Sequence, residues 1–225
     1  MELLRIGSTG VLVNYLQQKL GIAVTGTFDT VTDDAVKKFQ TDSDLVADGV
    51  VGGNTWTKIY LATVTPVAAT VRTDRHNNIM QLHPTVRTAV VKVYVQLRAE
   101  GIPFGVFEAF RFPERQADLY AQGRTKPGDI VTYALPWSSY HQYGLAVDFV
   151  LLLNGDWSWN SAGAKAAWWN RMHELGVQEG LMRLNFEIPH LQLAGTSSSA
   201  LRHGVYPPNG DKAWFDNFMA ARGNA

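Results

Sequence analysis

An α+β fold class is what the sequence predicts: a small N-terminal three-helix module, then an α+β domain with a central antiparallel sheet. Three observations predict it. Apolar residues recur at helical spacing through the first sixty residues, with glycine-containing turns between the runs. Beyond residue 72, helix-like and strand-like patterns follow one another without regular βαβ alternation. Between the two, Thr63–Val71 carries no charge and has Pro66 inside it, which suits an extended linker. The expected division is therefore residues 1–62, a linker over 63–71, and residues 72–225.

Each element has its own signal. Val11, Leu12, Tyr15, Leu16 and Leu20 mark a first helix, stopped by Gly21. Asp29 to Asp34 supply capping and acidic first-turn residues to a second, which carries Ala35, Val36 and Phe39 on one face. A glycine-rich turn, Asp48 to Gly53, leads into a third with Trp56, Ile59 and Leu61. Further on, Pro84 stands in the first turn of a helix with Val86, Val90, Val93 and Leu97 inward, ending at Gly101. Phe104–Phe110 alternates as a strand does, and a short helix spans Pro113–Ala121 before Gly123. The remaining expectations are a loop to Tyr140, a strand over Leu145–Leu153, a helix over Ala162–Leu175, a strand over Phe186–Leu193 and a helix over Asp211–Ala221.

Composition excludes whole classes of function. The chain has 225 residues, with 20 Lys+Arg against 20 Asp+Glu, so its formal net charge is zero and no nucleic-acid partner is expected. There is no cysteine, which removes disulfide scaffolds, thiolate metal sites and cysteine nucleophiles. Any metal must be held by His, Asp or Glu. Met1 to Gly7 lacks the pattern of a signal peptide, and the longest apolar run, Phe149–Leu153, is too short to span a bilayer. The expectation is a monomer made in the cytoplasm, without stable membrane insertion.

The most informative segment runs from Ser139 to Phe149. A loop histidine, His141, is followed seven positions later by Asp148 inside an apolar strand. An aspartate between Val147 and Phe149 is costly unless paired, hydrogen-bonded or bound to a metal. A buried Asp that merely fixes the loop explains this segment equally well. A second segment, Asn185 to Gln192, places Glu187 and His190 three apart. On an ideal strand such positions face opposite ways, but Pro189 interrupts the ladder and a bend there could bring both into one cleft. Alone, the segment reads as an edge strand with a surface Glu. Together the two supply the inventory of a catalytic zinc (Zn2+) site: His141, Asp148 and His190 as ligands, an open position for water, and Glu187 as general base. Arg111, at the end of a strand, could steady an oxyanion. Its alternative is a surface pair with Glu108 or Glu114.

Ser-x-His-x6-Asp followed by Glu-x-x-His resembles the LAS-type zinc peptidases, which include D-alanyl-D-alanine carboxypeptidases and L-alanyl-D-glutamate endopeptidases. The resemblance covers residues 72 to 206 and includes the Arg111 to Gly123 stretch. It implies the same zinc triad, Glu187 as base and Arg111 as a transition-state stabiliser. It also gives Gln116 and Ser139 roles in substrate or ligand positioning. Many relatives carry a Trp-Gly-Gly stretch where Gly176 to Phe186 stands here, which bears on substrate detail. Separately, Leu16-Gln17, Val24 to Phe28, Phe39-Gln40 and Asp48 to Trp56 resemble the small peptidoglycan-binding domain of wall hydrolases. Of the remaining histidines, His76, His83 and His203 have no partner at ligand spacing, and His173, beside Glu174, reads as a solvated or capping residue. At least one of Trp168 and Trp169 should pack in the core, while Trp137, Trp157 and Trp159 fall in loop-like sequence and could line a glycan groove.

These resemblances imply an endolysin that cleaves the stem peptide of bacterial peptidoglycan at the L-Ala–D-Glu amide. It would accumulate in a host cytoplasm and reach the wall once the membrane opens. The alternatives are a D,D-carboxypeptidase, which would need a basic pocket for a free carboxylate, a non-catalytic wall-binding or virion structural protein, and a muramidase, which would leave the zinc set unexplained.

Overall fold

The structure is a computed structural model that describes residues 3–67 and 71–223. Residues 1–2, 68–70 and 224–225 lie outside the described residues, among them part of the linker expected over 63–71. The chain divides into two compact units, one of Met1–Thr65 with Val91–Phe104, the other of Pro66–Val90 with Gly105–Ala225.

The first unit holds α1 (Val11–Leu20), α2 (Thr30–Asp42) and α3 (Gly53–Thr63). Asp29 caps α2 by accepting the Thr32 N–H at 2.9 Å, satisfying a donor the helix leaves free. Val13, Leu16, Phe28, Val36, Trp56 and Ile59 are buried in its core. Two buried glutamines tie the turns down. Gln17 donates to the Thr27 carbonyl at 2.9 Å and to Thr32 Oγ1 at 3.0 Å, and accepts from the N–H groups of Thr25 (2.9 Å) and Gly26 (3.0 Å). Gln40 repeats the device one helix on, donating to the Val50 carbonyl (3.0 Å) and accepting from the Gly49 N–H (2.9 Å). Helix α4 (Pro84–Ala99) buries Val86, Val90, Val93 and Leu97. Its second half groups with the first unit, where Tyr94 meets Tyr60 edge-on at 4.8 Å, a division that a single cut between 62 and 72 does not describe.

In the second unit follow β1 (Phe104–Glu108), α5 (Pro113–Ala121), β2 (Ala146–Leu153), β3 (Asp156–Ser158), α6 (Lys165–Gln178), β4 (Leu181–Leu184), β5 (Glu187–Leu193), α7 (Ser198–Arg202) and α8 (Lys212–Arg222). The sheet runs in the order β1-β2-β5-β4, with β3 hairpinned onto β2, and the β2–β3, β2–β5 and β4–β5 pairs are antiparallel. The α+β class is as the sequence predicts. Leu145, Val147, Phe149, Leu191, Met172 and Trp169 are buried, the last in agreement with the expectation that one of the paired tryptophans packs inside. No helix among the described residues is long and apolar enough to cross a membrane.

Two local features position the site. Gly144 closes the short 3-10 turn Tyr140–Tyr143 at φ 64° and leads into β2. A Cβ there would lie 2.9 Å from both the Gln81 carbonyl and Trp214 Cδ1, so only glycine lets the end of this turn sit against Gln81 and Trp214. On β5, the ladder with β4 shifts register: Arg183 pairs with Leu191, but Leu184 pairs with Glu187. Pro189, which cannot donate to a ladder, sits in the extra length of β5 that this creates.

Candidate metal centre

The β2–β5 register makes Asp148 and His190 direct cross-strand partners, which puts their side chains side by side on one face. His141 comes to the same place from the 3-10 turn that precedes β2. His141 Nε2, Asp148 Oδ1 and His190 Nδ1 form a near-equilateral triangle with sides of 3.2, 3.2 and 3.3 Å.

Hydrogen bonding at the far side of each ring decides what this triangle is. His141 Nδ1 lies 2.6 Å from the Ala109 carbonyl, which can only accept, so Nδ1 carries the proton and Nε2 of the neutral ring is bare. His190 Nε2 lies 3.0 Å from Gln192 Oε1, so its proton is held there and Nδ1 is bare. A carboxylate has acceptors only. With both rings neutral, three lone pairs thus converge, an arrangement that a cation relieves: a proton on the facing ring nitrogen when no metal is bound, a metal ion in its place otherwise. Tetrahedral ligand bonds of about 2.0–2.1 Å place donor atoms about 3.3–3.4 Å apart, which the triangle matches. The residues present therefore fit a divalent ion with two nitrogen ligands and one oxygen ligand, and each ligating ring has its outer partner in place.

Burial alone would raise the Asp148 carboxyl, but the two imidazoles outweigh it and hold the group well below the usual carboxylate range. For His190, burial pulls downward while Asp148 and Glu187 raise it above an ordinary imidazole. Arg111 is buried and donates from Nη2 to Asp148 Oδ2 at 3.3 Å and to Glu108 Oε2 at 2.6 Å, and from Nη1 to Gln116 at 3.0 Å. Glu108, 2% exposed, is gripped on its other oxygen by Arg115 at 2.6 Å. Against its burial, Arg111 keeps Glu108 below the usual carboxylate range. The surface pair set against Arg111 in the sequence is thus half right: the partner is Glu108, but the pair is internal and joins Asp148.

Glu187 stands at the register shift, its Oε2 3.7 Å from His190 Nδ1, so the distortion at Pro189 does bring two side chains three apart in sequence to one place. Arg111, Asp148, Glu187 and His190 line a cavity of about 790 Å³. Gln116 and Ser139 are not among its lining residues. Gln116 is fully buried, accepts from Arg111 and Gln142, and donates to the Ala134 carbonyl at 2.7 Å. Ser139 caps the 3-10 turn, accepting from the His141 N–H at 3.4 Å in a capping box with Gln142. In this geometry both hold the elements that carry the candidate ligands.

Sequence reasoning missed His173 and Gln192. His173 is not solvated but 8% exposed, and its Nε2 donates at 2.8 Å to the Ile188 carbonyl, which the distorted ladder leaves over. Burial holds its pKa below that of a free imidazole, so the ring stays a neutral donor. Nothing local in the α6 sequence announces this, since the acceptor belongs to β5. Gln192 was within reach, because a residue two from His190 on a strand shares its face.

Residues 79–190 match the VanY family, described as D-alanyl-D-alanine carboxypeptidase, and residues 10–59 match a peptidoglycan binding domain. The segment that holds the triangle is thus similar to the VanY peptidases, and the helices of the first unit are similar to peptidoglycan binding domains. More particularly, the chain is 47% identical over 70 residues to peptidoglycan L-alanyl-D-glutamate endopeptidase CwlK of Bacillus subtilis (strain 168). That stretch is 31% of this chain and 42% of the relative, so the chain spans less than half the length of this curated protein. Among solved structures, a Burkholderia AP3 phage endolysin is 20% identical, with 99% of this chain and 84% of that one covered and a TM-score of 0.27.

Proposed function

We propose that the chain is a zinc-dependent peptidoglycan endopeptidase that hydrolyses the L-Ala–D-Glu amide of the stem peptide, its first unit serving as a tether to the wall. The observation that carries the reading is the triangle of converging lone pairs beside a second carboxylate, Glu187. The family of residues 79–190 and the kind of bond cut by the CwlK relative support it. His141, Asp148 and His190 would hold zinc, which would supply a water with a pKa of about 7 and a Lewis acid for the scissile carbonyl.

The chain's own groups do the rest. Glu187 takes a proton from the attacking water and returns it to the leaving amine of D-Glu. Arg111, a fixed cation in the cavity wall, stabilises negative charge that develops on the carbonyl oxygen. Glu108 and Gln116 hold the guanidinium so that it does not reorganise during the step. Tethering by residues 10–59 raises the enzyme's concentration along an insoluble polymer.

The family description of residues 79–190 favours a second reading, removal of terminal D-Ala by a D,D-carboxypeptidase. Digestion of purified peptidoglycan with and without a chelator, followed by mass analysis, separates the two. The proposal expects chelator-sensitive release of stem peptides that begin at D-Glu. Loss of terminal alanine alone assigns the second reading, and lysis unaffected by complete metal removal rejects both.

A further inference from the structure

Three tryptophans in loop-like sequence were candidates for contact with glycan, and the structure separates them. Trp137 packs against Tyr143 at 5.6 Å and Phe218 at 6.1 Å. Trp157 lies against Phe107 at 5.2 Å. Trp159 alone of the three lines the metal cavity, and it is 51% exposed. It is also held firmly: its ring meets Phe107 edge-on at 5.1 Å, and Phe107 is covered by the Arg75 guanidinium at 4.3 Å. A braced aromatic with a free face is a stacking surface already paid for in conformational entropy. Phe186, in the turn between β4 and β5, lines the same cavity while 79% exposed, a position no core contact explains.

We infer that Trp159 and Phe186 form a subsite for the muramic acid ring of the substrate, next to the scissile bond. The inference rests on the endopeptidase reading above. In peptidoglycan only the alanine residue and the lactyl ether separate the L-Ala carbonyl from the sugar, roughly 7 Å when extended. A terminal D-Ala bond is further by the length of the stem. The stem's own side chains are small or charged, so the pyranose ring is the substrate group with a broad C–H face for aromatic stacking. A cavity of about 790 Å³ lies toward the upper end of the range for small-ligand pockets, with space for a sugar beside the peptide.

The test uses the full zinc-loaded chain and two soluble substrates, muramyl-L-Ala-γ-D-Glu-L-Lys and the same tripeptide carrying a lactyl group without the sugar. The wild type should prefer the muramyl substrate by about tenfold in kcat/KM, expressed in KM. In Trp159→Ala and Phe186→Ala that ratio should fall toward one, and Trp159→Phe, which keeps a stacking face, should restore most of it. Equal use of both substrates by the wild type, or an unchanged ratio in both alanine variants, overturns the subsite. Cleavage of neither substrate by a zinc-loaded wild type overturns the endopeptidase reading, and the subsite with it.

Discussion

Buried polar side chains occur in both units, and they are satisfied in opposite ways. In the first unit Gln17 and Gln40 are almost wholly buried, yet each amide spends its donor and acceptor atoms on the backbone of the turn it closes. Such groups stabilise by fixing shape, and nothing further is needed. In the second unit His141, Asp148 and His190 are also enclosed, but their outer atoms are satisfied while their inner atoms face one another as acceptors. The difference teaches how to tell a structural polar cluster from a binding one: follow the protons, and see whether any lone pairs are left aimed at a common point.

Breaking the second cluster should produce the largest effect. Asp148→Asn removes the ligand charge, and we expect hydrolysis to fall to background together with loss of bound zinc, read by metal analysis of the purified variant. Next in size, Glu187→Gln should lower kcat by about 10²–10⁴-fold while zinc content stays at the wild-type level. An equal loss of metal would instead make Glu187 a ligand. His173→Ala leaves the Ile188 carbonyl without its donor and loosens the stretch of β5 that presents Glu187 and His190. A loss of about tenfold in kcat with little change in KM is expected, partly restored by His173→Gln, whose amide can donate in its place. Gln17→Ala sharpens the comparison from the other side: about 1–3 kcal/mol of stability lost in denaturant unfolding, with zinc binding unchanged. Smallest is a pH effect. With the metal removed, His190 keeps its proton to higher pH than a free imidazole, because Asp148 and Glu187 favour the charged ring over its burial. Zinc uptake must displace that proton, so affinity should weaken as pH falls, beginning above the ordinary imidazole range, and proton release on binding should show it.

Much of this was legible in the sequence because it is local. The α5 bounds expected from Pro113 and the following apolar spacing are those observed, Pro113–Ala121. Helix α6 starts later than expected, at Lys165, because Gly163 adopts φ 60°, outside the helical region, and it runs on to Gln178. The β2–β3 hairpin went unread although Asn154-Gly155 marks it, with both residues at positive φ and Leu153 paired to Asp156. Strand β4 could not be read from Leu181–Leu184 alone, since it exists through pairing with β5. The candidate metal ligands were legible as residue types at a spacing. Their convergence was not, because it depends on the β2–β5 register. The same is true of the buried Arg111–Glu108–Arg115 bridge, whose members lie close in sequence but whose burial comes from packing.

The central claim is that three lone pairs await one divalent ion. Competitive zinc titration of the chelator-treated full chain at neutral pH tests it most directly. The account predicts one tightly bound ion per chain, and its loss in both Asp148→Asn and His190→Ala under conditions where those variants remain folded. A chain that takes up no zinc, or variants that bind it as tightly as the wild type, would contradict it.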